Sequence, residues 1–229
     1  MATTPDQEGL DREVDEISQT WQGRVASVVQ AFGCEDTFVL PRFSEPPWVW
    51  KNNLLARKVP GSDGQYTVQP PTRIFYHGRV VALNMVDEYE MPLAEVGITV
   101  MPMDCHIFFS AEHLLYTTSA VHRLPPATRR ANFIGPITAT RMRVELRDGE
   151  IRVKRFREVY YAIGTTWPQG EAVKIHPRTL DVGDIVMVEA NIQCRTSVHG
   201  RVQTGFTIFQ LVKVFRLAYW SHNVLIDTE

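Results

Sequence analysis

Cysteine is scarce in this sequence. The chain has three cysteines among 229 residues, and none of them belongs to a Cys-x-x-Cys pair. An odd number of widely spaced cysteines, here Cys34, Cys105 and Cys194, argues against a disulfide framework and against a thiolate zinc site. We therefore expect a protein of a reducing compartment, with a nuclear or cytoplasmic location.

Long apolar runs and a strong charge of one sign are also missing. No stretch approaches the ~20 apolar residues that span a bilayer, and the first twenty residues are acidic, unlike a signal peptide. We expect no membrane partner. The 24 Lys and Arg residues nearly balance the 26 Asp and Glu residues, so a charged ligand has to be met by a local patch of opposite charge.

Motifs for catalysis are the third absence. The sequence contains no Gly-x-Ser-x-Gly, no Gly-x-Gly-x-x-Gly and no Walker-type lysine loop. Three imidazoles and one thiol lie close together in sequence but match no known ligand spacing: Cys105, His106, His113 and His122. We predict a non-enzymatic protein with no cofactor and no metal site. A metal-dependent enzyme that uses these histidines is the third alternative for the function.

The N-terminal part of the chain differs in composition from the rest. Residues 1–20 carry six acidic side chains against one arginine, a net charge of −5, and we predict an acidic flexible arm over residues 1–13. From Val14 to Phe32 apolar residues recur mostly at spacings of three and four, which predicts one amphipathic helix. The prolines between Pro41 and Pro71 predict a long irregular connection, because proline lacks a backbone donor.

The remaining chain is predicted to form β-structure. Short segments rich in Val, Ile, Phe, Tyr and Thr are separated by Gly, Pro and Asp, which is typical of strands: Arg73–Met85, Gly97–Met101, His106–Ser110, Thr138–Leu146, Glu150–Ile163, Asp184–Cys194 and Gly205–Ala218. The predicted fold class is mostly β, a small barrel or a β-sandwich with one N-terminal helix. The chain then divides into an arm (1–13), a helix with the Pro-rich segment (14–71) and one β domain (72–229).

Three of these segments resemble the strands of an OB-fold barrel. The segment Arg73–Val86, with Gly78 inside it, resembles a long, bent first strand. The segments Val182–Val188 and Phe206–Phe215 resemble the closing strands. The resemblance implies a five-stranded barrel, in which the long insertion between the early and late strands departs from the minimal plan. A sandwich remains the alternative.

Basic residues are concentrated in the middle of the chain. Between Val121 and Glu158 there are ten of them, nine of which are arginines, against four acidic residues. The Asp148-Gly149 pair predicts a tight hairpin, with a largely cationic face opposite an apolar face that carries Met142, Val144 and Leu146. Aromatic residues follow closely, and cationic grooves with interleaved aromatic rings are typical of single-stranded nucleic-acid binding.

We therefore predict a binding module for single-stranded nucleic acid. The expected phosphate contacts are Arg141, Arg143, Arg147, Arg152, Lys154, Arg155 and Arg157, and the expected stacking residues are Tyr160, Tyr161 and Trp167. A charged outer face also has a simpler explanation, since it keeps a surface hairpin soluble and in register. The second alternative is a protein-interaction or self-assembly module, with contacts from the β edges and from the segment around Trp48 and Trp50.

Overall fold

A computed structural model describes residues 23–26, 28–29, 37–40, 48–61, 65–87, 89, 91–121, 135–162, 173–199 and 202–219. The predicted acidic arm, residues 1–13, lies outside these ranges, as does most of the predicted helix Val14–Phe32. Residues 23–26 and 28–29 are helical, and we call them α1. No helix in the described ranges is long and apolar enough to cross a membrane.

Thirteen strands and a second helix follow in the described part of the chain. The strands before that helix are β1 (Thr37–Val39), β2 (Trp48–Lys51), β3 (Leu54–Pro60), β4 (Tyr66–Pro71), β5 (Arg73–Val86) and β6 (Pro92–Pro102). The helix α2 spans Cys105–Val121. After it come β7 (Ile137–Met142), β8 (Val144–Arg147), β9 (Glu150–Val153), β10 (Val159–Tyr161), β11 (Val173–Lys174), β12 (Ile185–His199) and β13 (Val202–Ala218), with a short 3₁₀ helix at Pro177–Thr179.

Five of the strands close into a barrel. Around the ring, β5 pairs with β6, β6 with β7, β7 with β13, β13 with β12, and β12 with β5 again. Of these five pairs, only β7–β13 is parallel. The predicted mostly-β fold is confirmed, and the closed ring makes it an OB-like barrel. Gly78 allows the close approach of β5 and β6, because a Cβ at this position would overlap the carbonyl oxygen of Met101.

The barrel interior is filled from one face of each strand. In β6, Val96, Ile98 and Val100 alternate inward and are at most 1% exposed. They belong to one apolar cluster with residues from the other barrel strands and from α2, including Tyr76, Val188, Phe209 and Leu114. Burial of each such aliphatic side chain contributes about 1.5–3 kcal/mol, so the barrel interior is the main source of stability.

A second core covers part of the outer wall of the barrel. Phe75, Met187 and Phe215 point away from the barrel interior and are fully buried. They form a cluster with Val28 of α1, and Val25 and Val29 pack against its margin. The helix α1 therefore packs its apolar stripe on the barrel.

The segment 143–158 leaves the barrel and returns to the same strand. On the edge of β13 that is not paired with β12, β7 pairs with Phe209 and Gln210, and β10 pairs with Val214 to Arg216. Between these two contacts the chain forms the β8–β9 hairpin, which is a separate two-stranded sheet. The predicted single strands Thr138–Leu146 and Glu150–Ile163 are each interrupted at this excursion.

One predicted strand was wrong. His106–Ser110 belongs to the helix α2, not to a strand. The buried residues of α2 recur every three or four positions, which is a helical period. They include Ile107, Ala111, Leu114 and Thr118. Asp104 caps the helix, since its Oδ1 accepts a hydrogen bond from the His106 backbone N–H at 2.8 Å. The apolar run that starts at Ile107 was too short to distinguish the two structures.

The Pro-rich segment is also more regular than predicted where it is described. It contains β2, β3 and β4, which pair with one another. Asn52 and Asn53 both have positive φ, 52° and 63°, and form the tight turn between β2 and β3. Leu40 and Leu55 share the apolar cluster of the barrel interior. The division of the chain at residue 72 stays a prediction.

Candidate nucleic-acid interface

The β8–β9 hairpin has the geometry that the sequence predicts. Asp148 and Gly149 have φ values of 54° and 81°, as a tight two-residue turn requires. The register pairs Val144 with Val153 and Leu146 with Ile151 on one face, which we call the apolar face: Val144, Leu146, Ile151 and Val153. The other face pairs Glu145 with Arg152 and Arg147 with Glu150.

The charged face of the hairpin is neutralised by its own acids. Lys154 forms an ion pair with Glu145, Arg152 lies 3.2 Å from Glu150, and Arg147 lies 3.8 Å from Asp148. These pairs are exposed, so each contributes less than about 1 kcal/mol. Residues 143–154 carry four basic and three acidic side chains. The hairpin is thus nearly neutral, whereas its sequence predicted a largely cationic face.

Arg143 holds the hairpin against the barrel. Its Nε and Nη2 donate hydrogen bonds to the carbonyl oxygens of Lys154 and Arg155 at 3.2 and 2.8 Å. Its backbone N–H donates to the Ala94 carbonyl at 2.7 Å. Burial, together with the neighbouring Arg141, lowers the pKa of the Arg143 guanidinium. This arginine therefore positions the hairpin, with its Nε and Nη2 atoms engaged by backbone carbonyl groups.

The other predicted arginines lie at the base of the hairpin. Arg141 is half-buried and its Nη1 lies 3.4 Å from the Leu211 carbonyl oxygen. Arg155 and Arg157 are exposed, and within the described ranges no ion pair is recorded for either one. As far as the described residues show, an anion reaches these two guanidinium groups without displacing a carboxylate.

Tyr160 is in the second core and not on the surface. It is 6% exposed, and its ring stacks on Phe215 with 5.3 Å between ring centroids. Its hydroxyl donates a hydrogen bond to Glu158, which also accepts one from Lys174 at 3.0 Å. Burial and the Glu158 carboxylate raise the pKa of Tyr160. The prediction that this ring stacks on a base is corrected, because the ring is buried and already stacks on Phe215 within the protein.

Of the two remaining predicted aromatic residues, Tyr161 and Trp167, the structure describes only Tyr161. Tyr161 is half-buried, with its ring centroid 6.2 Å from that of Tyr219. The Tyr219 ring is exposed, and the Arg216 guanidinium lies 4.3 Å from its centroid. Trp167 lies outside the described residues. Tyr161 and Tyr219 are thus an aromatic pair at the surface, and the prediction for Trp167 is untested.

Two surface features were missed by sequence reasoning. The first is the exposure of the apolar face, where Leu146 and Ile151 are 72% and 74% exposed. The alternation of apolar and charged residues was visible, but it could not show that nothing covers this face within the described part of the chain. The second is Tyr89 in the β5–β6 loop, whose side chain is 76% exposed.

The loop that carries Tyr89 is ordered by one carboxylate. Asp87 Oδ1 accepts hydrogen bonds from the backbone N–H groups of Tyr89 and Met91 at 3.0 and 2.6 Å. The loop leads into β6, where Ala94 contacts Arg143. Tyr89 therefore lies within five residues, or at most about 17 Å, of the hairpin base. No sequence motif marks this tyrosine.

The histidines do not form a metal centre in the described residues. The ligand atoms of Asp104, Cys105 and His106 lie within 4.8 Å of one another, but all three residues are exposed and Asp104 is the helix cap. His106 and His113 are seven residues apart on α2, an axial rise of about 10 Å, which is too far for one ion. His122 lies outside the described residues.

Comparison with known proteins gives a weak structural likeness. No protein-family model matches the sequence, and no curated protein sequence matches it significantly. Among solved structures, the chain is similar to gp2.5, a single-stranded DNA binding protein encoded by bacteriophage T7, with 7% sequence identity and a TM-score of 0.37. The match covers 65% of this chain and 88% of that chain. A likeness of this strength does not transfer that protein's function.

Proposed function

We propose that the protein is a non-enzymatic binding module for single-stranded nucleic acid. The observation that carries the proposal is the position of the cationic segment, residues 141–157. This segment follows the third strand of an OB-like barrel directly, and it holds seven basic against three acidic side chains. In OB barrels the outer face of the second and third strands, with its flanking loops, binds oligonucleotides. Here those strands are β6 and β7.

Phosphate binding is assigned first to Arg155 and Arg157. Both are exposed and extend from the base of the hairpin. The next phosphate contacts are assigned to Arg147, Arg152 and Lys154. They come second because each of them first has to break an ion pair with a carboxylate of the hairpin. Exposed ion pairs are weak, so exchange of a carboxylate for a phosphate has a small cost. Arg141 and Arg143 shape the base of the site.

Base stacking is assigned to Tyr89 and Tyr161. Tyr89 presents an exposed ring from the β5–β6 loop, which corresponds to the first loop of an OB barrel. Tyr161 lies at the other side of the cationic segment, on β10. Aromatic stacking accepts any base, so this arrangement supports binding with little sequence preference. The nuclear or cytoplasmic location predicted from the cysteine pattern is consistent with such a ligand and stays a prediction.

A salt titration tests the proposal. Fluorescence anisotropy with a labelled oligo(dT) of about 20 nucleotides should show binding that weakens as salt rises. The double variant Arg155→Ala/Arg157→Ala should weaken binding and lower the salt slope by about 1.4, at 0.7 per phosphate contact. The control is Lys51→Ala, which removes an exposed cation from β2. Absence of binding at low salt, or equal loss in the control, would refute the proposal.

The alternative of a protein-interaction module is favoured by a different observation. The hairpin exposes three apolar side chains next to one another, Val144, Leu146 and Ile151, with Met142 at its base. Trp48 and Trp50, which were predicted to contribute, instead pack partly buried against the barrel core. Light scattering over a concentration series separates the two functions, since self-association through this face would raise the mass and Leu146→Ser would reverse it.

A further inference from the structure

The apolar face of the β8–β9 hairpin has no cover in the described part of the chain. Val144, Leu146 and Ile151 of this face are 41%, 72% and 74% exposed, and Met142 at the base of the hairpin is 53% exposed. The hairpin is a separate two-stranded sheet, and its backbone hydrogen bond to the barrel in the described residues is at its base, from Arg143 to Ala94. A hairpin of two strands is marginally stable in water unless its apolar face is packed. Something is therefore expected to cover it.

The size of the face limits what the cover can be. Four or five aliphatic side chains remove roughly 300–500 Å² from water when covered, at 60–120 Å² each. A standard interface between separate molecules buries roughly 800 Å² on each partner. A segment of the same chain needs less, because tethering gives it an effective concentration in the millimolar range. The area favours an intramolecular occupant over a second copy.

The N-terminal segment of this chain has the complementary composition. Residues 1–20 have a net charge of −5, whereas the cationic segment, residues 141–157, has a net charge of +4. The acidic segment also contains Leu10, Val14 and Ile17 at spacings of four and three, the spacing of one helix face. It therefore offers apolar groups for the apolar face and carboxylates for the arginines around it.

The N-terminal segment is joined to α1, which lies close enough for the segment to reach the hairpin. The Arg24 guanidinium donates a hydrogen bond to the Leu217 carbonyl oxygen. α1 packs in the same cluster as Tyr160, three residues after Arg157. The 22 residues before Gly23 span up to about 70 Å when extended and about 33 Å as a helix. Ile151 of the hairpin is nine residues before Tyr160 and thus at most about 31 Å from it, a distance that neither conformation falls short of.

We infer that the β8–β9 hairpin is the docking surface for the acidic segment, residues 1–20 of the same chain. The docked segment covers the apolar face and places its carboxylates beside Arg147, Arg152 and Arg157. As a regulatory device, which rests on the proposed function, it competes with nucleic acid for these cations. Release of the segment by an oligonucleotide then exposes the cationic segment.

Photo-crosslinking of the full chain tests the docking without any nucleic acid. A benzoylphenylalanine replaces Leu146, and the crosslinked tryptic peptides are identified by mass spectrometry. We expect an intrachain crosslink to the peptides that end at Arg12 or Arg24. A covalent dimer, or crosslinks only to other peptides, would overturn the inference. The same label at exposed Val182 is the control for nonspecific contacts, and equal capture of those peptides there would also overturn it.

Charge neutralisation in the full chain tests the competition. The variant Glu13→Gln/Asp15→Asn/Glu16→Gln should lower the crosslink yield severalfold. It should tighten oligo(dT) binding at low salt at least about threefold. This is the change in affinity expected when competing, weak and exposed charge pairs are removed. The control Glu112→Gln/Asp227→Asn/Glu229→Gln changes the net charge equally, and an equal effect there would contradict the competition. A crosslink without oligonucleotide binding by any variant would refute the proposed function alone.

Discussion

Tyr160 shows how burial decides the role of a single residue. In sequence it is an aromatic residue that follows a run of arginines, which predicts stacking on a base. In the structure its ring stacks on Phe215, and the Lys174 ammonium lies 5.4 Å from the ring centroid. Sequence alone could not distinguish these roles, because both need an aromatic residue beside charge. Only the return of β10 to β13 places this ring inward.

Tyr160→Phe separates the two roles by experiment. The variant keeps the stacked ring and removes the hydroxyl donor to Glu158. We expect the free energy of unfolding in urea to fall by about 1 kcal/mol, the net value of one hydrogen bond, and oligonucleotide affinity to stay unchanged. Tyr66→Phe, at an exposed position on β4, is the control for stability. Loss of affinity without loss of stability would return Tyr160 to the binding site.

His77 makes the stability of the protein depend on pH. Burial lowers the pKa of this imidazole, and nearby Asp104 offsets only part of the effect. The unfolded chain, with an ordinary histidine pKa of about 6.5, binds a proton that the folded chain binds less readily. The free energy of unfolding should therefore be greatest above pH ~6.5 and decline as the pH falls towards the lowered pKa.

A single substitution checks the assignment to His77. Urea unfolding between about pH 5 and 8 should show a smaller decline for His77→Gln than for the natural chain. His113→Gln, at an exposed position on α2, should leave the decline in place. If the profiles of the natural chain and His77→Gln coincide, another group is responsible.

At the scale of elements, the two glycines of the barrel wall differ in what surrounds them. A Cβ on Gly78 would overlap the Met101 carbonyl oxygen, which belongs to the backbone of β6. A Cβ on Gly97 would lie 3.3 Å from Thr140 Cγ2, the end of a side chain that can move. Gly78→Ala should therefore cost about 3 kcal/mol by forcing β5 and β6 apart, and Gly97→Ala less than about 1 kcal/mol. Thermal unfolding monitored by circular dichroism measures both, and equal costs would contradict this account.

Elements were predicted best where one local signal determines the backbone. The Asp148-Gly149 turn and the long strand with Gly78 inside it were predicted correctly for this reason. The helix α2 was missed because its first apolar residues also fit a strand, and its helical period appears only beyond Ser110. The β2–β3 turn was missed because two asparagines take positive φ without glycine. Of the proposed binding site, composition predicted the arginines, but their pairing with Glu145, Asp148 and Glu150 depends on register.

At the scale of the whole molecule, the two cores share their strands. Phe75 and Tyr76 are neighbours on β5, yet the first belongs to the outer core and the second to the barrel interior. The two cores therefore cover opposite faces of the same strands, so disruption of one core also destabilises the strands that form the other. We expect α1 and the barrel to unfold together, as small single domains usually do.

Val28→Ala tests this coupling from the outer core. The side chain is fully buried, and its truncation should lower the free energy of unfolding by about 2 kcal/mol. Urea curves followed by circular dichroism and by tryptophan fluorescence should coincide for the natural chain and for the variant. Ile98→Val, in the barrel interior, is the matched comparison. An early transition in the variant that only one probe detects would show that α1 unfolds independently.

The way in which segment 143–158 departs from β13 and rejoins it has a consequence for how such a protein can change. Both ends of the excursion are fixed by β7 and β10 on one edge of the same strand. Its length and side chains can therefore vary while the ring of five strands stays intact. Mutations that adapt the hairpin to a new ligand can therefore accumulate while the barrel strands keep their pairing.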